Sequence, residues 1–479
     1  LTHRRPNGYH EPPRERIFKG HDVNSRIGRG DDGPARLRKY PFPYVAAATV
    51  ASDIDNASFD RFSAIHALFG GSELIRPGTT VWRVLGLTKE SRWYDGQAGG
   101  VHGLGLDLAD SFFLVADEVT FGMFRFDPAT GAFDDDRSDG RNAREAIQDW
   151  IRLGQIDAYH GFLHYTREQV LPLLDRFFAW SDQERVGRLS TWTNHAAGVC
   201  PSGLSPRALR PNRALALVRE LARYAVRSVT GRLRYPIDWQ RSWYEGARPG
   251  SPYYISDILR ANGLKYVWLG AGHDDLPNTI ALPEFRAGGR PSILEPVTMD
   301  DGSRYYRFRR CYGKIGAPRG VNVALRTSKV SFDASRLFSA GNLERLCEVE
   351  GTCILSTHWT QARSFPIQDE TIGSFDRLRS FRDQGRIWVT RLSKLLEWTR
   401  LRAFVNVSST AEAERLIVDV GTLNDPVFGR QRLTPPDCRG LAFDIPAATE
   451  QVEVRIDGRI LPPGSVRRRG SVCWIDPLA

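Results

Sequence analysis

Tyr44-Val45-Ala46-Ala47-Ala48-Thr49-Val50-Ala51-Ser52-Asp53-Ile54-Asp55-Asn56, residues 44–56, decides the reading of the fold. Residues 44–50 form an apolar run of strand length, which predicts a strand covered on both faces, the habit of parallel sheets. The run stops at two carboxylates. Residues 59–69 follow with apolar side chains at helical spacing. Strand, polar end and helix make the repeating unit of parallel β/α architecture.

The same unit recurs along the chain. Strands are expected at 111–116, 155–159, 188–192, 266–269, 352–355 and 387–389. Helices are expected at 142–153, 167–180, 212–229, 255–262, 342–349, 372–384 and 390–401. Glycines at 263 and 385 sit where the helices at 255–262 and 372–384 should stop. Seven or eight such units imply an α/β fold of the distorted (β/α)-barrel type over residues 41–402. After residue 402 short strand-like runs at 403–407, 415–420, 440–444, 451–456 and 471–475 alternate with Gly, Pro, Asn and Asp turns. They predict a small all-β, sandwich-like module over 403–479. Residues 1–40 are rich in Arg, Gly, Pro and Asp and read as an N-terminal arm.

The 479 residues are 41% hydrophobic and 25% charged, the composition of a globular chain with a large core. No run of about 18 apolar residues is present, so no membrane span is expected. The net charge of +10 invites a nucleic-acid reading. Only seven of the 66 basic residues are Lys, and only Arg467-Arg468-Arg469 forms a run, so that reading is not favoured. None of the six cysteines forms Cys-x-x-Cys, and they are expected as core thiols, with one or two disulfides open if the protein is exported. No apolar signal-peptide core is visible in the first 22 residues, and the compartment stays open. Oligomeric state is not legible.

Several expected strands end in residues capable of chemistry. In a β/α barrel those ends converge on one mouth, where active sites sit. Asp53 and Asp55, two apart on an extended segment, point to the same side. Like charges that close repel unless a cation or proton intervenes, and a divalent metal would resolve the conflict. The plainer alternative is a loop-and-cap pair before the next helix. His160 and His164 follow another strand at a spacing that suits two imidazoles on one metal. Gly161 stands where the helical zinc-protease motif needs Glu, so that motif is excluded. Two imidazoles and one carboxylate leave an open position for water, as in hydrolytic sites. His358, after Leu355-Ser356-Thr357, is a candidate general acid. Asn194 and His195 are candidates for a sugar hydroxyl or an oxyanion. Trp239, Trp243, Tyr253 and Trp359 offer flat rings suited to sugar faces, with ordinary core filling as the alternative.

In motif order and spacing residues 41–402 resemble the polysaccharide deacetylase family, the chitooligosaccharide-deacetylase-like group of the glycoside hydrolase/deacetylase barrels. Val50-Ala51-Ser52-Asp53-Ile54-Asp55 resembles its first motif, His160-Gly161-Phe162-Leu163-His164 its second and Leu355-Ser356-Thr357-His358 its last. Arg248-Pro249-Gly250-Ser251-Pro252-Tyr253-Tyr254 is similar to its Arg/Pro/aromatic motif. The resemblance implies a hydrolase that removes N- or O-acetyl groups from a poly- or oligosaccharide, at the cell envelope or in the periplasm. Asp55, His160 and His164 would hold a divalent ion, with zinc expected. Asp53 would be the base, His358 the acid, and Arg248 would orient Asp53. The family's paired Asp residues are adjacent, whereas Ile54 separates these, so base and ligand stay interchangeable between Asp53 and Asp55.

Three other classes stay open, the weakest a metal-dependent phosphodiesterase suggested only by the basic charge. A glycoside hydrolase on the same barrel would use two carboxylic acids and no metal, with Asp257, Glu245 or Asp369 as partner to Asp53 or Asp55. A non-catalytic carbohydrate-binding protein would keep the aromatics and lose the chemistry.

Overall fold

The computed structural model describes residues 33–54, 56–116, 120–137, 140–161, 165–193, 246–268, 275–277, 292–299, 301–312, 334–361, 364–462 and 464–476. The helix expected at 212–229 and the candidates Asp55, His164, Asn194, His195, Trp239 and Trp243 lie outside the described residues.

The opening stretch is strand β1 (Ala46–Ser52), buried at every position. Small and β-branched side chains let it pack on both faces. The strands that matter to the site follow in chain order: β2 (Asp110–Val115), β3 (Ile156–Gly161), β4 (Thr191–Trp192), β5 (Tyr266–Val267), β6 (Arg304–Phe308), β7 (Arg310–Tyr312), β8 (Thr352–Thr357) and β9 (Ile387–Val389). The result is a mixed α/β fold. One sheet runs β7-β8-β1-β9, with Asp275–Pro277 beside β7, and all its pairs are parallel. A second runs β6-β5-β4-β3-β2, again parallel. It is extended antiparallel by Leu294–Thr298 at β6; at β2 Gly122–Asp127 adds a further parallel strand, with Ala132–Asp135 antiparallel beyond it.

The strands that carry the site thus pair as two sheets where one ring was expected; Leu74–Ile75, Tyr94–Asp95 and Gly100–His102 make a small antiparallel sheet apart from them. Two features bring the sheets together. Arg309 alone separates β6 from β7, so one stretch of chain serves both sheets. On the other flank the Ser111 hydroxyl donates to the Ser52 carbonyl at 2.8 Å.

Helices are set by local caps. In α1 (Phe59–Ile65) the Ser58 hydroxyl accepts from the Arg61 N–H, and in α2 (Ala143–Arg152) the Asn142 side chain accepts from Glu145. Thr166 and Gln169 form a reciprocal capping box on α3 (Arg167–Gln183). Next come α4 (Ser256–Ala261), α5 (Ala340–Glu348), α6 (Asp369–Asp383) and α7 (Leu392–Phe404). The helix expected over 59–69 changes at His66 into a wider π-helical turn, His66–Gly70. There the Leu68 and Phe69 carbonyls accept from Leu104 and Leu106 N–H, donors outside the helix. Among the described residues no helix is long and apolar enough to cross a membrane.

The start of α7 carries a testable charge. Asp157 of β3 is buried, and its carboxylate accepts the Ser393 N–H at 2.9 Å. Burial pushes its pKa up to about 6, against the hydrogen bonds from Ser393. A carboxyl raised above its unfolded value favours the fold below the unfolded pKa. That contribution is lost as pH rises through the folded value. Above pH 6 the ionised carboxylate therefore weighs against the fold, by at most about 3 kcal/mol at 1.36 kcal/mol per unit. Asp157→Asn keeps an acceptor for Ser393. In urea unfolding it should be more stable than the parent at pH 7.5 and show no advantage at pH 4.

Beyond α7 the chain turns to β structure. Strands β10 (Val405–Glu412), β11 (Arg415–Asp425) and β13 (Gln451–Ile456) form one sheet, while β12 (Ala442–Asp444) and β14 (Val472–Ile475) belong to another. Arg36–Leu37, read from the sequence as part of an arm, pairs antiparallel with β12. A separate apolar core joins Val418, Val420, Phe443 and Ile475 to Trp398 and Leu401 of α7. The five described cysteines are buried and free.

Candidate functional site

Strand register gathers the site. Along β1 alternate residues share a face, so Thr49, Ala51 and Asp53 form one row. The β8 pairing Thr357↔Ser52 sets His358 beside Asp53. Thr191↔Ala158 and Trp192↔Tyr159 set Thr193 beside His160. Thr191↔Tyr266 and Trp192↔Val267 set Trp268 beside Thr193. Tyr266↔Tyr306 starts a row Tyr306, Phe308, Arg310 through β6 into β7. Asp53, His160, Thr193, Trp268 and His358 therefore stand at the C-terminal ends of β1, β3, β4, β5 and β8, and Arg310 stands at the start of β7, two residues past β6, so that six strands contribute to one layer.

Side-chain geometry agrees. Asp53 is fully buried, and Arg310 Nη1 donates to its Oδ1 at 2.8 Å. The Arg310 guanidinium stacks on the Trp268 ring, 3.3 Å from its centroid. His160 Nδ1 is 3.8 Å from Asp53 Oδ1 and 3.3 Å from Thr193 Oγ1. The Thr193 hydroxyl donates its one proton to the Tyr159 carbonyl at 3.2 Å. Its lone pairs are left to accept, which selects the His160 tautomer protonated at Nδ1. Phe113 meets the His160 ring edge-on. On the other side His358 Nε2 lies 3.5 Å from Asp53 Oδ2. At 18% exposure the His358 side chain opens more to solvent than Asp53, His160 or Arg310.

The metal expectation is corrected. Among the described residues no group of three or more His, Cys, Asp or Glu side chains could hold a metal ion. The physical reason lies at Asp53, whose charge is met by Arg310 where a cation was invoked. His160, one of the three expected ligands, instead faces Thr193 and Asp53. Asp55 and His164, the other two, lie outside the described residues. Zinc or another divalent ion is withdrawn as a cofactor on this ligand set.

Other candidates are dispersed. Arg248, expected to orient Asp53, is exposed in the turn before α4, and the guanidinium on Asp53 is that of Arg310. Tyr253 is half-buried against the core beneath α4. Trp359, expected as a sugar platform, is fully buried, stacks on Phe69 and donates its indole N–H to Asp110 Oδ2 at 2.6 Å. Arg310, Thr193, Trp268 and Asp110 were not foreseen. For Arg310 the available signal was the alternation Tyr306, Phe308, Arg310 on one strand face.

Compared with protein-family models and with curated proteins, the chain matches none.

Proposed function

We propose that the chain is a hydrolase whose proton transfers run through His358 backed by Asp53, and that its substrate is an acylated carbohydrate. The observation that carries this reading is the approach of His358 Nε2 to Asp53 Oδ2 at 3.5 Å, beside a buried guanidinium. A carboxylate in that position steadies an imidazolium, and the Arg310 guanidinium pairs with its other oxygen. The gap exceeds a hydrogen bond, as catalytic contacts often do before substrate binds. Water would add to the acyl carbon while His358 takes its proton. The same proton would return to the departing sugar oxygen or nitrogen. The acyl-sugar class rests on the motif resemblance in the first, second and last motifs. We also infer that the two parallel sheets are halves of one distorted (β/α)-barrel. Support comes from the single-residue break at Arg309, the Ser111–Ser52 hydrogen bond and the six-strand layer.

The glycosidase alternative gains nothing from Asp257, whose carboxylate is held by both Nη atoms of Arg167 at 2.6 and 2.9 Å.

Acetate release from acetylated oligosaccharides, with mass analysis of the sugar products, tests the reading. His358→Ala should lower turnover by about 10²–10⁴, the usual worth of a positioned acid–base group. Turnover within about threefold of the parent, far below that range, would refute the assignment. Cleaved glycosidic bonds with acetyl groups intact would move the enzyme to the second class.

A further inference from the structure

We infer that Asp110 and Ser111, at the start of β2, form a two-pronged clamp that fixes the spacing between Asp53 and His358. This rests on the reading of that pair as the reacting one. Each prong holds a residue adjacent in sequence to a member of the pair. Ser111 Oγ donates to the carbonyl of Ser52, the residue before Asp53, at 2.8 Å. Asp110 Oδ2 accepts the indole N–H of Trp359, the residue after His358, at 2.6 Å. Asp110 Oδ1 accepts the Ser111 N–H at 3.1 Å, so the prongs share one rigid origin.

The surroundings make the clamp stiff. Asp110, Ser111, Trp359 and Ser52 are all buried. The Trp359 ring stacks on Phe69 at 5.4 Å and lies 5.8 Å from Phe375. His66 meets it edge-on, with Nε2 3.8 Å from Asp110 Oδ2. The His358 carbonyl is held from the far side by Gln361 N–H at 3.2 Å and by Ser364 Oγ at 3.0 Å. Trp359 is thus the lever that sets the direction of the His358 backbone. The aromatic box alone would keep the ring buried without fixing its rotation. The indole N–H bond to a buried carboxylate supplies that direction, and charge-assisted bonds of this kind are short and strong. Asp110 and Ser111 act as positioning residues. They touch the peptides that carry Asp53 and His358, and no role in proton transfer is assigned to them.

The test reads the placement of His358 directly, through its rate of modification by diethylpyrocarbonate in the folded protein, measured by peptide mass analysis. Exposed His102 is the reference and buried His160 the control. Asp110→Ala should raise the His358 rate by about three- to tenfold, the range one buried hydrogen bond supports. His102 and His160 should not change. Asp110→Asn keeps an oxygen acceptor for the indole and should return His358 to the parental rate. Trp359→Phe keeps an aromatic ring in the stack, removes the donor together with one ring of the indole, and should raise the His358 rate at least as Asp110→Ala does. An unchanged His358 rate in folded Trp359→Phe or Asp110→Ala overturns the clamp. So does a parallel rise at His160, which would mark general loosening. Because this readout needs no turnover, absence of hydrolase activity defeats the functional reading alone, and an unchanged His358 defeats the clamp alone.

Discussion

Arg310→Met is expected to cost about 3–5 kcal/mol of stability, because it removes the guanidinium from a buried ion pair and leaves the carboxylate's charge buried. Asp53 and Arg310 are 0% and 1% exposed, and their contact is 2.8 Å. Methionine fills much of the same volume and can still lie on the Trp268 ring. The loss therefore isolates charge more than packing. The chain has two ways to relieve it. Asp53 can take a proton, or the layer can open to water, and either would disturb His160 and His358. The double variant Asp53→Asn/Arg310→Met removes both charges together. It should recover at least about half of the loss, since buried ion pairs replaced as pairs often come out nearly neutral. Urea unfolding of the parent, both single variants and the double variant closes the cycle. Additive losses in the two single variants would show that Arg310 serves the fold without neutralising Asp53.

That pair also shows where sequence reasoning stops. β1 was legible because nothing interrupts its apolar run, and α2 because Asn142 marks its start. The β strands after α7 were legible because turn residues bracket each one. Asp53, His160 and His358 were legible as chemistry because each follows a strand of small or apolar residues. The register, which makes them neighbours, was not. Arg310 was hidden by its company: Arg307 and Arg309 stand within three residues of it. Only strand alternation separates them, since Arg307 and Arg309 turn to Glu295 while Arg310 turns to Asp53. The expected metal followed from counting carboxylates and imidazoles without that guanidinium. Asp110 drew no reading from the sequence, because its partner Trp359 is 249 residues away. Arg36–Leu37 is too short to show any period, and it is a strand only because β12 offers an edge.

Arg400→Met should loosen the C-terminal β structure from the rest of the chain, at a cost of about 3–5 kcal/mol if the seam behaves as a broken buried pair. Arg400 and Asp425 are 3% and 4% exposed. Arg400 Nη1 lies 2.5 Å from Asp425 Oδ2, and its other Nη pairs with Glu397. Asp425 Oδ1 also accepts the Tyr306 hydroxyl at 2.8 Å and the Val427 N–H at 2.6 Å. The network therefore ties α7 and β11 to β6, the strand whose inner row ends in Arg310. Burial drives the Glu397 pKa upward, but Lys265 and Arg400 outweigh it and bring the carboxyl down to about 2. A depressed carboxyl adds stability above its unfolded pKa, so the seam should weaken only as pH falls toward 2. Thiol labelling separates a local release from general unfolding. Cys438 and Cys473 lie in the β core, and burial pushes both thiols up to about 12. At pH 8 they should resist labelling in the parent and react in Arg400→Met. Cys311 and Cys353, buried in the sheet that holds β1, should stay protected in both. Equal labelling of all four would mean that the seam holds the whole fold, and that the β structure does not come away on its own.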